Sequence, residues 1–193
     1  MKRKFKLDYK RRVKGITDYR KRIRLLSSKK LRMVVRVRSN SIHTQIIQFE
    51  RKGDKVIISA NSSQLKKFGY NLHRGNIPTA YLTGMLLGIK SKQKGIKEAI
   101  LDVGLKKPTP QSTVYAALKG AVDAGIKIPY NEEVLPKLSK LKGGDIEEYA
   151  KLLHKNNPEK YQKQFSRYLK NNINPQQITK IIDETKNKIL LGK

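Results

Sequence analysis

The chain has 193 residues and a formal net charge of +29, from 44 Lys and Arg against 15 Asp and Glu. An excess of that size repels itself in a compact protein and points to a polyanionic partner, which could be RNA, DNA or an anionic membrane face. Membrane is the weakest of these, because no apolar run approaches the roughly 20 residues of a span, no signal-peptide core opens the chain, and no continuous apolar helical face opposes the cations; the lack of Cys excludes disulfides, thiolate zinc sites and cysteine nucleophiles.

Apolar residues concentrate between Leu31 and Ile128. That division predicts a basic arm over residues 1–30, an α/β core domain over 31–130 and a helical extension over 131–193. In the arm, Arg3, Lys4, Lys6, Lys10, Arg11, Arg12, Lys14, Arg20, Lys21, Arg22 and Arg24 are opposed only by Asp8 and Asp18. Such a block stays extended or loosely helical until an anion orders it. Tyr9 and Tyr19 interrupt the block, and they either stack on unpaired RNA bases or anchor the arm on the domain. Having charge but no apolar stripe, the arm is expected to be dispensable for folding of the core.

Residues 32–38 alternate as a strand, with Met33, Val35 and Val37 on one face and Arg32, Val34, Arg36 and Arg38 on the other. The three arginines in line are expected to form an RNA-facing sheet surface. Ser39-Asn40-Ser41 is a turn, residues 42–49 form a second β-rich run, and Lys52-Gly53-Asp54 turns the chain into Val56-Ile57-Ile58, which together read as an antiparallel meander. Residues 60–76 read as a polar link. A helix is expected from Asn76-Ile77-Pro78 through Ile89, with Asn76 as cap, ending near Gly95. Residues 99–103 suit a short strand and 106–110 a Pro-rich loop. Val114, Ala117, Leu118, Ala121 and Val122 then mark one face of a helix between Ser112 and Gly125. The order β-β-β-α-β-α predicts an α+β fold, an antiparallel-rich sheet packed by two helices.

Three helical segments follow in the extension. Asp145 with Glu148 suggests a capping box for the first, and Asn157-Pro158 and Asn174-Pro175 open the other two. Their apolar stripes are narrow, so they should dock on the domain or on a partner. No chemistry stands out. Asp54, Asp102 and Asp123 are isolated in sequence, and His43, His73 and His154 lack metal-ligand spacing. No glycine-rich phosphate loop occurs. Binding without catalysis, metal, cofactor or small-molecule substrate is the expectation; a nuclease built around Asp102 is the enzymatic alternative.

A series of motifs runs through the chain in order: Tyr9-Lys10-Arg11-Arg12, Lys14-Gly15-Ile16-Thr17-Asp18-Tyr19-Arg20, residues 31–40, Gly75-Asn76, Ala80-Tyr81-Leu82-Thr83-Gly84, Leu101-Asp102-Val103-Gly104-Leu105, residues 117–125, Ile128-Pro129 and Gly144-Asp145-Ile146. This series resembles the large-subunit ribosomal protein family usually numbered eighteen, in its archaeal and eukaryotic form, whose members bind 5S rRNA. The resemblance implies a cytoplasmic place in the central protuberance of the large subunit, where the protein would hold 5S rRNA, bridge it to the large rRNA and adjoin other ribosomal proteins, including the other 5S-binding one. It also implies RNA contacts at Tyr9 to Arg12, at Thr17 to Arg24, and at Arg36, Arg38 and Asn40. Asn76 is a lesser candidate, having a turn and cap as its alternative role. A nonspecific nucleic-acid-coating or DNA-compacting protein would use the same charge, but no helix-turn-helix or regular basic repeat is present.

Overall fold

The computed structural model describes residues 7–107 and 109–192. Two short helices, α1 (Lys10–Val13) and α2 (Tyr19–Ser27), precede three strands, β1 (Arg32–Arg38), β2 (Ser41–Gln48) and β3 (Lys55–Asn61). Helix α3 (Ile77–Gln93), strand β4 (Ile100–Asp102) and helix α4 (Thr113–Asp123) complete the expected β-β-β-α-β-α order. The sheet order is β3-β2-β1-β4, with β1 antiparallel to β2, β2 antiparallel to β3, and β4 parallel to β1 across the α3 crossover. Met33, Val35 and Val37 pair with Ile46, Thr44 and Ile42. Met33, Val35, Ile42 and Ile46 are buried in one cluster with α3 and α4, so this is the inner face of the sheet. Arg32, Val34, Arg36 and Arg38 therefore lie on the outer face, as strand alternation requires.

Helix α3 is buried almost all round, as its nearly continuous apolar sequence demands. It crosses α4 closely because the contact is made by glycine. A Cβ at Gly84 would overlap the Ala117 carbonyl, and one at Gly120 would overlap the Tyr81 carbonyl. Asn76 caps α3 as expected, its Oδ1 accepting from Thr79 N at 3.1 Å.

The polar link is more ordered than its composition suggests. It contains a 3₁₀ helix, Ser62–Phe68, with Asn61 and Gln64 capping each other reciprocally. Tyr70 follows it into the core, fully buried, with its hydroxyl 2.6 Å from Thr79 Oγ1. Because the partner hydroxyl lies across the α3 cap, no local signal betrays this buried tyrosine.

The extension consists of α5 (Leu138–Leu141), α6 (Gly144–Asn156), α7 (Pro158–Gln164), α8 (Ser166–Lys170) and α9 (Ile178–Leu191). Asn157 and Asn174 cap as expected, accepting from Lys160 N at 3.1 Å and Gln176 N at 3.0 Å. The capping box at Asp145 does not form. Helix α6 begins at Gly144, which puts Asp145 inside the first turn, where its charge still faces the positive helix end. Leu141, Ile178, Ile182 and Ile189 join the main core, while Ala150, Leu153, Tyr161 and Phe165 form a small second cluster. Glu147 ties α6 to α9 by accepting from the Thr179 hydroxyl at 2.6 Å, and it also accepts from Lys151 Nζ one turn on in α6 at 2.8 Å. Those hydrogen bonds, the Lys151 one foremost, hold its carboxyl below the usual range. No helix among the described residues is long and apolar enough to cross a membrane.

Candidate nucleic-acid interface

The arm is folded over residues 7–28, and its turns are closed by its own polar groups. Arg11 O accepts from Ile16 N and Thr17 N, at 2.9 and 3.3 Å, and Arg11 Nε donates to Thr17 Oγ1 at 2.9 Å. Asp18 then caps α2 by accepting from Lys21 N at 3.1 Å. The Tyr9 and Tyr19 rings stack on each other, with centroids 4.9 Å apart and planes at 27°. Tyr9 remains 65% exposed, so its ring can still receive a base. Arg3, Lys4 and Lys6 lie outside the described residues.

Helix α2 divides its cations between two directions. Arg20 and Arg24 are exposed, whereas Lys21 and Arg22 are half-buried against the domain. Lys21 Nζ donates to Gly104 O at 2.9 Å. The Arg22 guanidinium forks onto Asp54, with Nη1 to Oδ2 at 2.9 Å and Nη2 to Oδ1 at 2.8 Å. Burial pushes the Asp54 carboxyl up, but the hydrogen bonds from Arg22 and the nearby charge of Arg32 outweigh it and hold the group below its ordinary value. The same hydrogen bond raises Arg22.

The row of three outward arginines needs correction. Arg32 is only 2% exposed. Its Nη1 donates to Asp102 Oδ2 at 2.9 Å, and its Nη2 lies 2.8 Å from Asp54 Oδ2 as a charge contact off the N–H direction. Arg36 Nη1 donates to the Asp102 and Val35 carbonyls, each at 2.9 Å, and Nη2 is 3.4 Å from Asp102 Oδ1. Asp102 Oδ1 also accepts from Gly104 N at 2.8 Å. Arg22, Asp54, Arg32, Asp102 and Arg36 thus alternate in sign across the outer sheet face. Asp54, in the β2–β3 turn, and Asp102, ending β4, are far apart in sequence but flank the start of β1. A carboxylate occupied this way is a structural counterion. Among the described residues no three potential metal ligands come together.

The remaining candidates separate by exposure. Lys10, Arg11, Arg12, Lys14, Arg38 and Asn40 are exposed, Arg12 being paired with Asp8 at 2.9 Å. Thr17 is half-buried and holds Arg11. Asn76 is half-buried and its carbonyl is taken by the helix cap, so it has a structural role. Gly75 nevertheless brings this motif beside the sheet turn, since a Cβ there would lie 2.6 Å from Ser39 O. Two residues were missed. His43 sits opposite Arg36 on the outer face, and Asn61 opposite His43, with Asn61 Nδ2 3.4 Å from the ring. Carrying the alternation of β1 through the hairpin register would have found His43.

A sequence profile for the family described as "Ribosomal large subunit proteins 60S L5, and 50S L18" matches residues 3–98 and 88–131. The chain is also 43% identical over 190 residues to "Large ribosomal subunit protein uL18" of Methanococcus maripaludis, covering 98% of each chain. With a profile spanning the arm, the sheet and the α3–α4 pair, and a relative matching from end to end, the chain belongs to the family of large-subunit ribosomal proteins 60S L5 and 50S L18.

Proposed function

We propose that this chain, a constituent of the large ribosomal subunit, binds 5S rRNA and attaches it to the large rRNA in the central protuberance. The observation that carries the reading is the seating of the arm. Lys21 and Arg22 fix α2 over the outer sheet face, which leaves Arg20 and Arg24 exposed on the helix while Arg38 is exposed at the end of β1. Cations carried on a helix that is already seated suit phosphates whose spacing is set by a folded RNA, and seating the helix beforehand reduces the ordering cost of binding. The exposed ring of Tyr9 adds a surface for an unpaired base. The partners proposed are 5S rRNA, the large rRNA and neighbouring ribosomal proteins, among them the other 5S-binding protein, in the cytoplasmic ribosome.

Photo-crosslinking from single positions in assembled large subunits tests the reading. Probes at Tyr9, Arg20, Arg24 and Arg38 are expected to label 5S rRNA. Labelling of the large rRNA alone, or of protein alone, from all four would contradict it.

A further inference from the structure

A cavity of about 660 Å³ lies where α2, the outer face of β1 and the loop leading from β4 into α4 come together. Its size falls within the roughly 300–1,000 Å³ typical of small-ligand sites. The lining includes three carboxylates, each already engaged: Asp18 caps α2, and Asp54 and Asp102 are paired with arginine. Leu25, Val34 and Ile47 supply an apolar part, and Arg11, Lys106 and Lys107 supply exposed cations. Among the described residues neither Lys106 nor Lys107 forms an ion pair, in contrast to Arg22, Arg32 and Arg36, which are paired with Asp54 and Asp102.

Two further features point to an anionic, hydrogen-bonding occupant. Ser112, Thr113 and Val114 line the cavity at the start of α4, and Ser112 gives that 11-residue helix no side-chain cap, so its positive end is unopposed there. Arg32, which also lines the cavity, is nearly wholly buried and has its Nε unpartnered among the described residues. A neighbouring protein's apolar side chain would satisfy the apolar part and none of the donors. A duplex groove would satisfy the cations and leave the apolar part empty.

We infer that this cavity receives a single unstacked nucleotide of the RNA partner, with the base against Leu25, Val34 and Ile47 and the phosphate at Arg11, Lys106, Lys107 and the first turn of α4. The inference rests on the RNA-binding reading and deepens it, since one everted base would fix the register of the RNA on the arm.

The test titrates the full chain with each of the four ribonucleoside monophosphates, and separately with inorganic phosphate at matched ionic strength, following backbone amide shifts. Nucleotides, which also bury a base against aliphatic side chains, are expected to shift Gly104, Thr113 and Val114 at concentrations about tenfold below those at which phosphate does so. Thr113→Trp, which fills the cavity, should abolish the nucleotide response. Should that variant fail to fold, Lys106→Ala/Lys107→Ala should weaken the response several-fold. Equal responses to nucleotide and phosphate, no response, or a response that survives both variants would overturn the inference. Binding of 5S rRNA is measured on the same sample. Loss of the nucleotide response alone condemns the cavity, and loss of 5S binding alone condemns the broader reading.

Discussion

Replacing Asp102 with Ala removes the acceptor for Arg32 Nη1 and Gly104 N, at 2.9 and 2.8 Å, and the carboxylate 3.4 Å from Arg36 Nη2. The side chains of Arg32 and Asp102 are 3% and 9% exposed, so the pair is largely desolvated in the native fold. Breaking a buried pair from one side costs roughly 3–5 kcal/mol, because the surviving charge stays buried. Asp54 remains 2.8 Å from Arg32 Nη2 and offsets part of that, which places the expected loss near the lower end, about 3 kcal/mol. Against a total stability of roughly 5–15 kcal/mol the variant should still fold. Urea unfolding followed by circular dichroism should show a lower midpoint at an unchanged slope. A loss under about 1 kcal/mol would refute the idea that Asp102 is the counterion of a buried guanidinium.

Deleting residues 1–30 should lower stability measurably in the same assay, because Asp54 loses Arg22 and the outer face loses Leu25; an unchanged midpoint would show the arm is only draped on the sheet. Gly84→Ala should cost about 1–3 kcal/mol or more, since the added methyl meets the Ala117 backbone rather than a side chain that can swing away. Burial, then the charges of Arg167 and Arg74, lower the His73 pKa, and the neutral ring accepts from Gly75 N at 3.2 Å. The unfolded chain therefore binds the proton more readily, and stability should rise as pH climbs towards the ordinary imidazole value of about 6.5, then level off. His73→Gln should flatten that rise, and a fall in stability over the window would contradict the assignment. Arg20→Ala/Arg24→Ala should reduce the slope of log K against log salt for RNA by roughly 1.4–1.8 while leaving the unfolding midpoint in place.

The sheet was legible because β1 alternates apart from Val34 and its turns carry Ser-Asn-Ser and Gly-Asp, and α3 because Asn76 and Pro78 announce its start. Burial of Arg32 was not legible, since its two carboxylates come from the β2–β3 turn and from β4, and only the fold brings them together. The same holds for α2. Its charge density suggested a solvated arm, yet two of its cations face inward onto Gly104 O and Asp54. Gly84 and Gly120 carry no signal of their own in the sequence. Their use is the close crossing of α3 and α4, which spacing within either helix alone does not reveal.

The central claim is specific recognition of 5S rRNA by a prefolded cationic surface. Filter binding of the full chain to 5S rRNA and to a duplex DNA of matched length, across a salt series, tests it most directly. The account predicts a steep salt dependence for both, with 5S rRNA retained at salt concentrations that release the duplex. Equal affinity for the two at every salt concentration would contradict it.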